Sequence, residues 1–262
     1  MSANACCFAI RQSCPSLLES TDTHGCDCVK APGNRSGDHL NGGEGNDSLV
    51  GGAGDDEMVG GAGIDTLIGG AGNDEYYVDS ADKIQEDPNG GNDLIGVTFS
   101  LVMPDNIEDA YLTVSGLTVT GNGLDNAMFG TTGADTMNGA SGNDVIEGDL
   151  GADKLSGGGG NDQFRYELDN LGDLALLGGD IITDFEVGKD TIDLYNLFSQ
   201  FGIASGDPIG EGYLDLQVIG GNTNIRFDSN GGGDSFVTLA TLQGVTTATL
   251  ADIIHPQPNV VI

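Results

Sequence analysis

Positive charge is what this 262-residue chain has least of. Eight Lys and Arg face 41 Asp and Glu, for a formal net charge of −33. Such a polyanion repels nucleic acid and acidic membrane surfaces and attracts cations, so neither of those partners is expected. No apolar run is long enough to span a bilayer as a helix. Cysteine is missing after Cys28: Cys6, Cys7, Cys14, Cys26 and Cys28 all crowd the first 28 residues. A disulfide framework is spread through the domain it staples, and an odd count leaves one thiol over, so none is expected. His24, Cys26 and Cys28 are ligand types for a soft metal, but their spacing fits no zinc pattern, and residues 1–32 read as a disordered, atypical leader. The start, MSANACCFAI, has neither a basic n-region nor a long apolar core, so no cleavable secretory signal is read there. Histidine is scarce too. His24, His39 and His255 never stand in the H-E-x-x-H spacing of a zinc protease helix, and G-x-S-x-G is absent. Acid pairs such as Asp55-Asp56 or Asp190 and Asp193 are coincidences to be expected among 41 acids rather than a glycosidase couple. The chain is read as non-catalytic.

What is present is glycine on a clock. GGEGNDSLV (42–50), GGAGDDEMV (51–59), GGAGIDTLI (60–68) and GGAGNDEYY (69–77) repeat every nine residues, and GNRSGDHLN (33–41) keeps Gly33, Asp38 and Leu40 in phase. Paired glycines permit tight bends that side chains block. The three residues after each Asp are too few for a helix but enough for a short strand. The middle one, Leu49, Met58, Leu67 or Tyr76, points to one face and its neighbours to the other. Each unit is therefore a six-residue turn and a short strand with one inward anchor. A single unit buries nothing; stacked units do, so the period implies a solenoid.

The clock restarts at 121–165, with Asn126, Asp135, Asp144, Asp153 and Asp162 at the acid position and Met128, Met137, Ile146, Leu155 and Phe164 at the inward one. Residues 78–120 lack the motif but are rich in β-branched and aromatic residues, as in LIGVTFSLV (94–102), and read as a spacer that continues the coil. Residues 166–262 change texture. GGDIITDFEVGKDTIDL (178–194) reads as strand, turn, strand, LYNLFSQFGI (194–203) as a short helix, and 213–245 as two hairpins with glycine-rich turns. This part is expected to be an antiparallel β domain that caps the bare edge of the last coil. The fold class is all-β: a parallel β-roll in two repeat blocks, 33–77 and 121–165, with an antiparallel C-terminal cap.

Two nonapeptides make one coil, so like positions recur every 18 residues. Asp47 stacks beside Asp65, Asp56 beside Asp74, Asp135 beside Asp153, and Asp144 beside Asp162. Neighbouring strands lie about 4.8 Å apart. Two carboxylates at roughly 5 Å repel by about 3 kcal/mol at an effective dielectric near 20. Residues 42–77 hold eight acids and no base, so a divalent cation is expected to offset that repulsion. The donors are hard oxygens, which suits Ca²⁺ better than Mg²⁺, zinc or copper.

The pattern G-G-x-G-x-D-x-U-x resembles the calcium-binding RTX nonapeptide. The resemblance implies that Gly43, Gly45 and Asp47 face one ion, while carbonyls of Gly42, Glu44 and Asn46 face the next. The matching positions are Gly52, Gly54 and Asp56; Gly61, Gly63 and Asp65; Gly70, Gly72 and Asp74. In the second block they are Gly133 and Asp135; Gly142 and Asp144; Gly151 and Asp153; Gly158, Gly160 and Asp162. Asp38 joins them from the degraded unit. About three ions are expected in each block. Asp180 to Leu194 and FVTLATLQGV (236–245) resemble the C-terminal domain that follows the roll in serralysin-type proteases and in mannuronan epimerase repeat modules. That resemblance implies a protein secreted from a Gram-negative cell by the type I apparatus, with its signal at the C-terminus, where Asp252-Ile253-Ile254 stands. Polysaccharide or a cell surface is the further partner it implies. The alternative is the C-terminal part of a secreted RTX enzyme or toxin whose catalytic domain is absent here.

Overall fold

The computed structural model describes residues 29–30, 37–168, 174, 176–203, 208–246 and 249–254. Residues 1–28 and 255–262 lie outside them, so the expectations for His24, Cys26, Cys28 and His255 fall on undescribed positions. The chain divides into two compact units, residues 1–111 and 112–262.

The first unit is a parallel β-solenoid. Its strands are β1 (Val29–Lys30), β2 (His39–Glu44), β3 (Ser48–Ala53), β4 (Glu57–Ala62), β5 (Thr66–Ala71), β6 (Glu75–Tyr77), β7 (Lys83–Gln85), β8 (Leu94–Val97), β9 (Leu101–Val102) and β10 (Asp109–Leu112), the last lying where the chain passes to the next unit. Odd and even strands separate into two sheets, β1-β3-β5-β7 and β2-β4-β6-β8. The register is set by the repeat: Leu49 pairs with Leu67 and Met58 with Tyr76, each 18 residues on. Alternation sends one side chain of each nonapeptide strand inward, and two in β8 and β10. Leu40, Met58, Tyr76 and Ile95 form one buried column, and Leu49 and Leu67 belong to the other. Full burial of such a side chain contributes about 1.5–3 kcal/mol.

Strand length departs from expectation here. β2 to β5 run six residues, through the paired glycines, rather than three. The reason lies in the neighbouring coil: Gly43 pairs with Gly61 and Gly52 with Gly70, so backbone that was expected to turn extends the ladder first.

The second unit continues the same construction with three-residue strands: β11 (Thr118–Thr120), β12 (Ala127–Phe129), β13 (Thr136–Asn138), β14 (Val145–Glu147), β15 (Lys154–Ser156), β16 (Gln163–Arg165), β17 (Asp180–Ile182) and β18 (Thr191–Asp193). All pair in parallel. Val119, Met137, Leu155 and Ile182 fill one column; Met128, Ile146, Phe164 and Ile192 fill the other. The strand-turn-strand read at 178–194 places its two strands in different sheets, β17 against β15 and β18 against β16, so both extend the roll.

Beyond them come α1 (Tyr195–Gln200), β19 (Leu214–Ile219), β20 (Asn222–Phe227), β21 (Val237–Leu242) and α2 (Leu250–Ile253). β19, β20 and β21 form an antiparallel sheet whose last strand joins β17 in parallel. α1 buries Leu197 and Phe198, and Phe227 lies between Phe198 and Phe201 at ring-centroid distances of 6.3 and 5.3 Å. Coil edge and antiparallel sheet thus share one hydrogen-bonded ladder, which closes the open edge. Among the described residues no helix is long and apolar enough to cross a membrane.

Candidate metal centre

The sixth residue of each unit sits where the glycine turn becomes a strand. Asp47, Asp56, Asp65, Asp74, Asp135, Asp144, Asp153 and Asp162 are all at most 3 % exposed, though each is ionisable. In six of them, all but Asp47 and Asp135, one oxygen has a repeated task. Because the coil register is 18, the amide of the Asp one coil earlier lies beside it. Asp56 Oδ1 accepts from the Asp38 N–H at 2.7 Å, Asp65 from Asp47 at 2.8 Å and Asp74 from Asp56 at 2.8 Å. In the second unit Asp144 accepts from Asn126, Asp153 from Asp135 and Asp162 from Asp144, at 2.7 to 2.9 Å.

The other oxygen differs. Oδ2 of Asp56, Asp65, Asp74, Asp144, Asp153 and Asp162 is buried with no hydrogen-bond partner, as is that of the half-buried Asp38. A buried, unpaired carboxylate oxygen costs several kcal/mol unless something compensates it. Apart from that of Asp38, these oxygens point back into the turn, over the first glycine of their own unit. A Cβ on Gly51 would overlap the Asp56 carboxylate, and one on Gly139, Gly148 or Gly157 would overlap that of Asp144, Asp153 or Asp162. Backbone carbonyls face the same turns. A Cβ on Gly61 would overlap the Gly43 carbonyl, and one on Gly160 the Gly142 carbonyl. Gly61 (φ 99°) and Gly63 (φ 152°) show the left-handed backbone that bares those carbonyls. Hard oxygens around a cradle that a methyl group would fill are a donor set suited to Ca²⁺.

Burial governs the ionisation of these groups. Asp56 and Asp144 are both pushed up from 3.8 to about 6, first by burial, against the lowering effect of the amide each accepts from. The neighbouring charges of Asp74 and Asp162, respectively, add to the rise. Asp65, Asp74 and Asp162 are raised for the same first reason, and the adjacent pair Asp153 and Asp180 is raised by burial in each other's company. The ion pairs His39–Glu57, Arg165–Glu147, Lys189–Glu186 and Arg226–Asp215 use other acids.

Not every candidate is equivalent. Asp135 is served by the chain itself: Oδ1 accepts from the Gly116 and Leu117 amides, and Oδ2 from the Thr131 amide and hydroxyl. Thr131 stands where other units have their second glycine, and Gly133 is not in the left-handed region, unlike Gly142, Gly151 and Gly160. Two second-position residues that are not glycine, Ala140 (φ 77°) and Asp149 (φ 64°), still adopt the left-handed turn.

The structure also adds acids that the nine-residue count does not reach. Asp82 accepts from the Asp65 N–H, Asp93 from Asp74, Asp180 from Asp153 and Asp190 from Asp162. Their offsets are 17, 19, 27 and 28 residues. A residual signal exists: Gly91-Asn92-Asp93-Leu94-Ile95 is the second half of a repeat, and Asp180 and Asp190 each precede an inward Ile by two. A second ladder runs along the turn tips. Asn46 Oδ1 accepts from the Ile64 amide, Asp55 from Asn73 and Asn143 from Asn161.

The family model of the RTX calcium-binding nonapeptide repeat matches residues 32–67, 51–82 and 120–164. Solved structures that resemble the chain include the AlgE6R3 subunit from the Azotobacter vinelandii mannuronan C5-epimerase, at 29 % identity over 61 % of this chain and 84 % of that one, with a TM-score of 0.38. The AlgE6R2 subunit of the same enzyme is 25 % identical over 56 % of this chain and 97 % of that one, with a TM-score of 0.35. No curated protein sequence matches the chain.

Proposed function

From the RTX calcium-binding repeats that this chain carries, we propose that it is a secreted, non-catalytic module whose rolls fold when Ca²⁺ reaches them outside the cell. The observation that carries this reading is the row of buried Oδ2 atoms without partners, each held over a glycine cradle. In our reading Asp56, Asp65, Asp74, Asp144, Asp153 and Asp162 supply carboxylate oxygens. The glycine turns of 42–77 and 139–162 supply carbonyls, and Asp38 and Asp47 extend the first block. Asp135 contributes less, because Thr131 already satisfies it.

The physical logic links charge to export. Where calcium is scarce, a chain of net charge −33 with unpaired acids is held expanded and suits passage through a type I channel. Where calcium is abundant, binding supplies the compensation that folding needs, so binding and folding are one event. Residues 33–77 and 121–165 serve as the calcium blocks, 78–120 as the spacer and 166–262 as the terminal domain. Calcium-stiffened acidic rolls of this kind would serve attachment to a surface or a polysaccharide.

The test is a far-UV circular dichroism titration from a chelated start, with Mg²⁺ as control. The expected result is a steep gain of β signal near roughly 10⁻⁴–10⁻³ M Ca²⁺, the range of extracellular sites, with none for Mg²⁺. A chain already folded in chelator would mean that the aspartates act as turn formers, and the export logic would fall with it.

A further inference from the structure

The first unit contains a carboxylate cluster that the repeat does not account for. Oxygens of Asp74, Glu86 and Asp93 all lie within 4.8 Å of one another. Asp74 belongs to the last nonapeptide of the block; Glu86 and Asp93 lie beyond it. Asp74 is 1 % exposed and its Oδ2 has no hydrogen-bond partner. Each ligand is held in place. Asp93 Oδ1 accepts the Asp74 amide at 2.8 Å, and Glu86 Oε2 accepts the Asp87 and Gly70 amides at 3.1 and 3.3 Å. The Tyr76 hydroxyl donates to Glu86 Oε1. Asp74 Oδ2, Glu86 Oε1 and the Tyr76 oxygen converge over Gly69, where a Cβ would overlap all three.

We propose that Asp74, Glu86 and Asp93 form a divalent-cation site of their own, built for Ca²⁺, at the point where the nonapeptides of the first block stop. In a repeat turn the carboxylate is joined by carbonyls; here three carboxylates meet. Calcium–oxygen distances of about 2.3–2.6 Å let one ion reach oxygens that span up to about 5 Å. A higher ligand charge raises affinity, so this site fills at lower calcium than the turns do. Tyr76 acts as a positioning residue, aiming Glu86 at the ion. The second unit shows the contrasting solution. Asp180, which follows Asp153 as Asp93 follows Asp74, takes the Asp153 amide on Oδ1 and the Tyr166 hydroxyl on Oδ2 at 2.9 Å. Protein donors occupy both its oxygens, whereas Asp93 takes the Asp74 amide on Oδ1 and the first unit's tyrosine, Tyr76, donates to Glu86 instead.

The proposal rests on the calcium reading above only for its choice of ion, and the test separates the two. Bound calcium per chain is counted by equilibrium dialysis for the full chain, Glu86→Gln and Asp144→Asn, with circular dichroism in saturating calcium confirming that each is folded. Glu86→Gln is expected to bind one ion fewer and to lose the tightest step of the isotherm, with the sites of the other repeat turns kept. Asp93→Asn, which retains the acceptor for the Asp74 amide, is the second variant and is expected to do the same. A full ion count in both variants, with one ion lost in Asp144→Asn, overturns this site and leaves the repeat reading standing. A parent chain that takes up no calcium overturns both. Tb³⁺ gives an independent readout: the chain has no tryptophan, so sensitised emission comes from tyrosine. Glu86→Gln and Tyr76→Phe are each expected to lower that emission, and Tyr76→Phe to do so with the ion count preserved. Emission unchanged in Glu86→Gln counts against the site.

Discussion

At the scale of the residue, two atoms of one carboxylate have different fates. Asp65 Oδ1 is tied to the Asp47 amide, while its Oδ2 is left open. Asparagine keeps the first function and removes the charge; alanine removes both. Asp65→Ala is therefore expected to weaken folding in calcium more than Asp65→Asn, by about 1 kcal/mol for the lost hydrogen bond. Both should weaken calcium binding, and unchanged affinity by calorimetry in Asp65→Ala would count against the stacked register. The first glycine of a unit is constrained by space. Gly51→Ala drives a methyl group into the Asp56 carboxylate and is expected to cost about 1–3 kcal/mol. Gly159→Ala meets nothing within 4 Å and should stay within about 0.5 kcal/mol of the parent. Urea denaturation of the calcium-loaded chains compares the two.

At the scale of the element, each strand is too short to stand alone and carries one inward side chain. Leu67 is fully buried between Leu49 and Ile84 in its column. Leu67→Ala is expected to cost about 2–5 kcal/mol, because neighbouring coils are fixed on both sides and the cavity cannot close. The measurement is the urea midpoint in calcium. The turn tips form a weaker element. Asn46→Ala removes the acceptor for the exposed Ile64 amide, which water then satisfies, so the expected loss is below about 1 kcal/mol. Ile64 stands where the matching turns have Asn46, Asp55 and Asn73. The structure shows why the turn survives: Ile64 needs only its backbone to receive the bond from Asn46.

At the scale of the whole molecule, net charge and pH decide when the chain folds. Asp56 and Asp144 titrate near 6 in the folded state, against 3.8 ordinarily. Folded groups that hold protons more tightly than unfolded ones stabilise the fold fully below about pH 4, and that contribution is lost as pH rises through about 6. In chelator, the β signal by circular dichroism is therefore expected to be higher at pH 5 than at pH 8. Calcium binds the ionised form, so in saturating calcium the urea midpoint should instead be higher at pH 8. A β signal in chelator that rises from pH 5 to pH 8 would contradict the burial described for these acids.

The nine-residue clock alone determined the solenoid, the 18-residue register and the inward set from Leu49 to Phe164, because a fixed period leaves each side chain only one face to take. It also placed the acids in columns. It did not reveal that one oxygen of each carboxylate is spent on the preceding coil's amide, since that bond depends on strand spacing rather than residue order. Nor did it separate Asp135 from its neighbours; Thr131 does so only once the turn closes around it. Asp93, Asp180 and Asp190 extend the columns across inserts of irregular length, and Glu86 reaches Asp74 from outside any repeat. Those partnerships were decided by the tertiary structure, because stacking brings residues together by height along the coil, and an insert changes the count without changing the height.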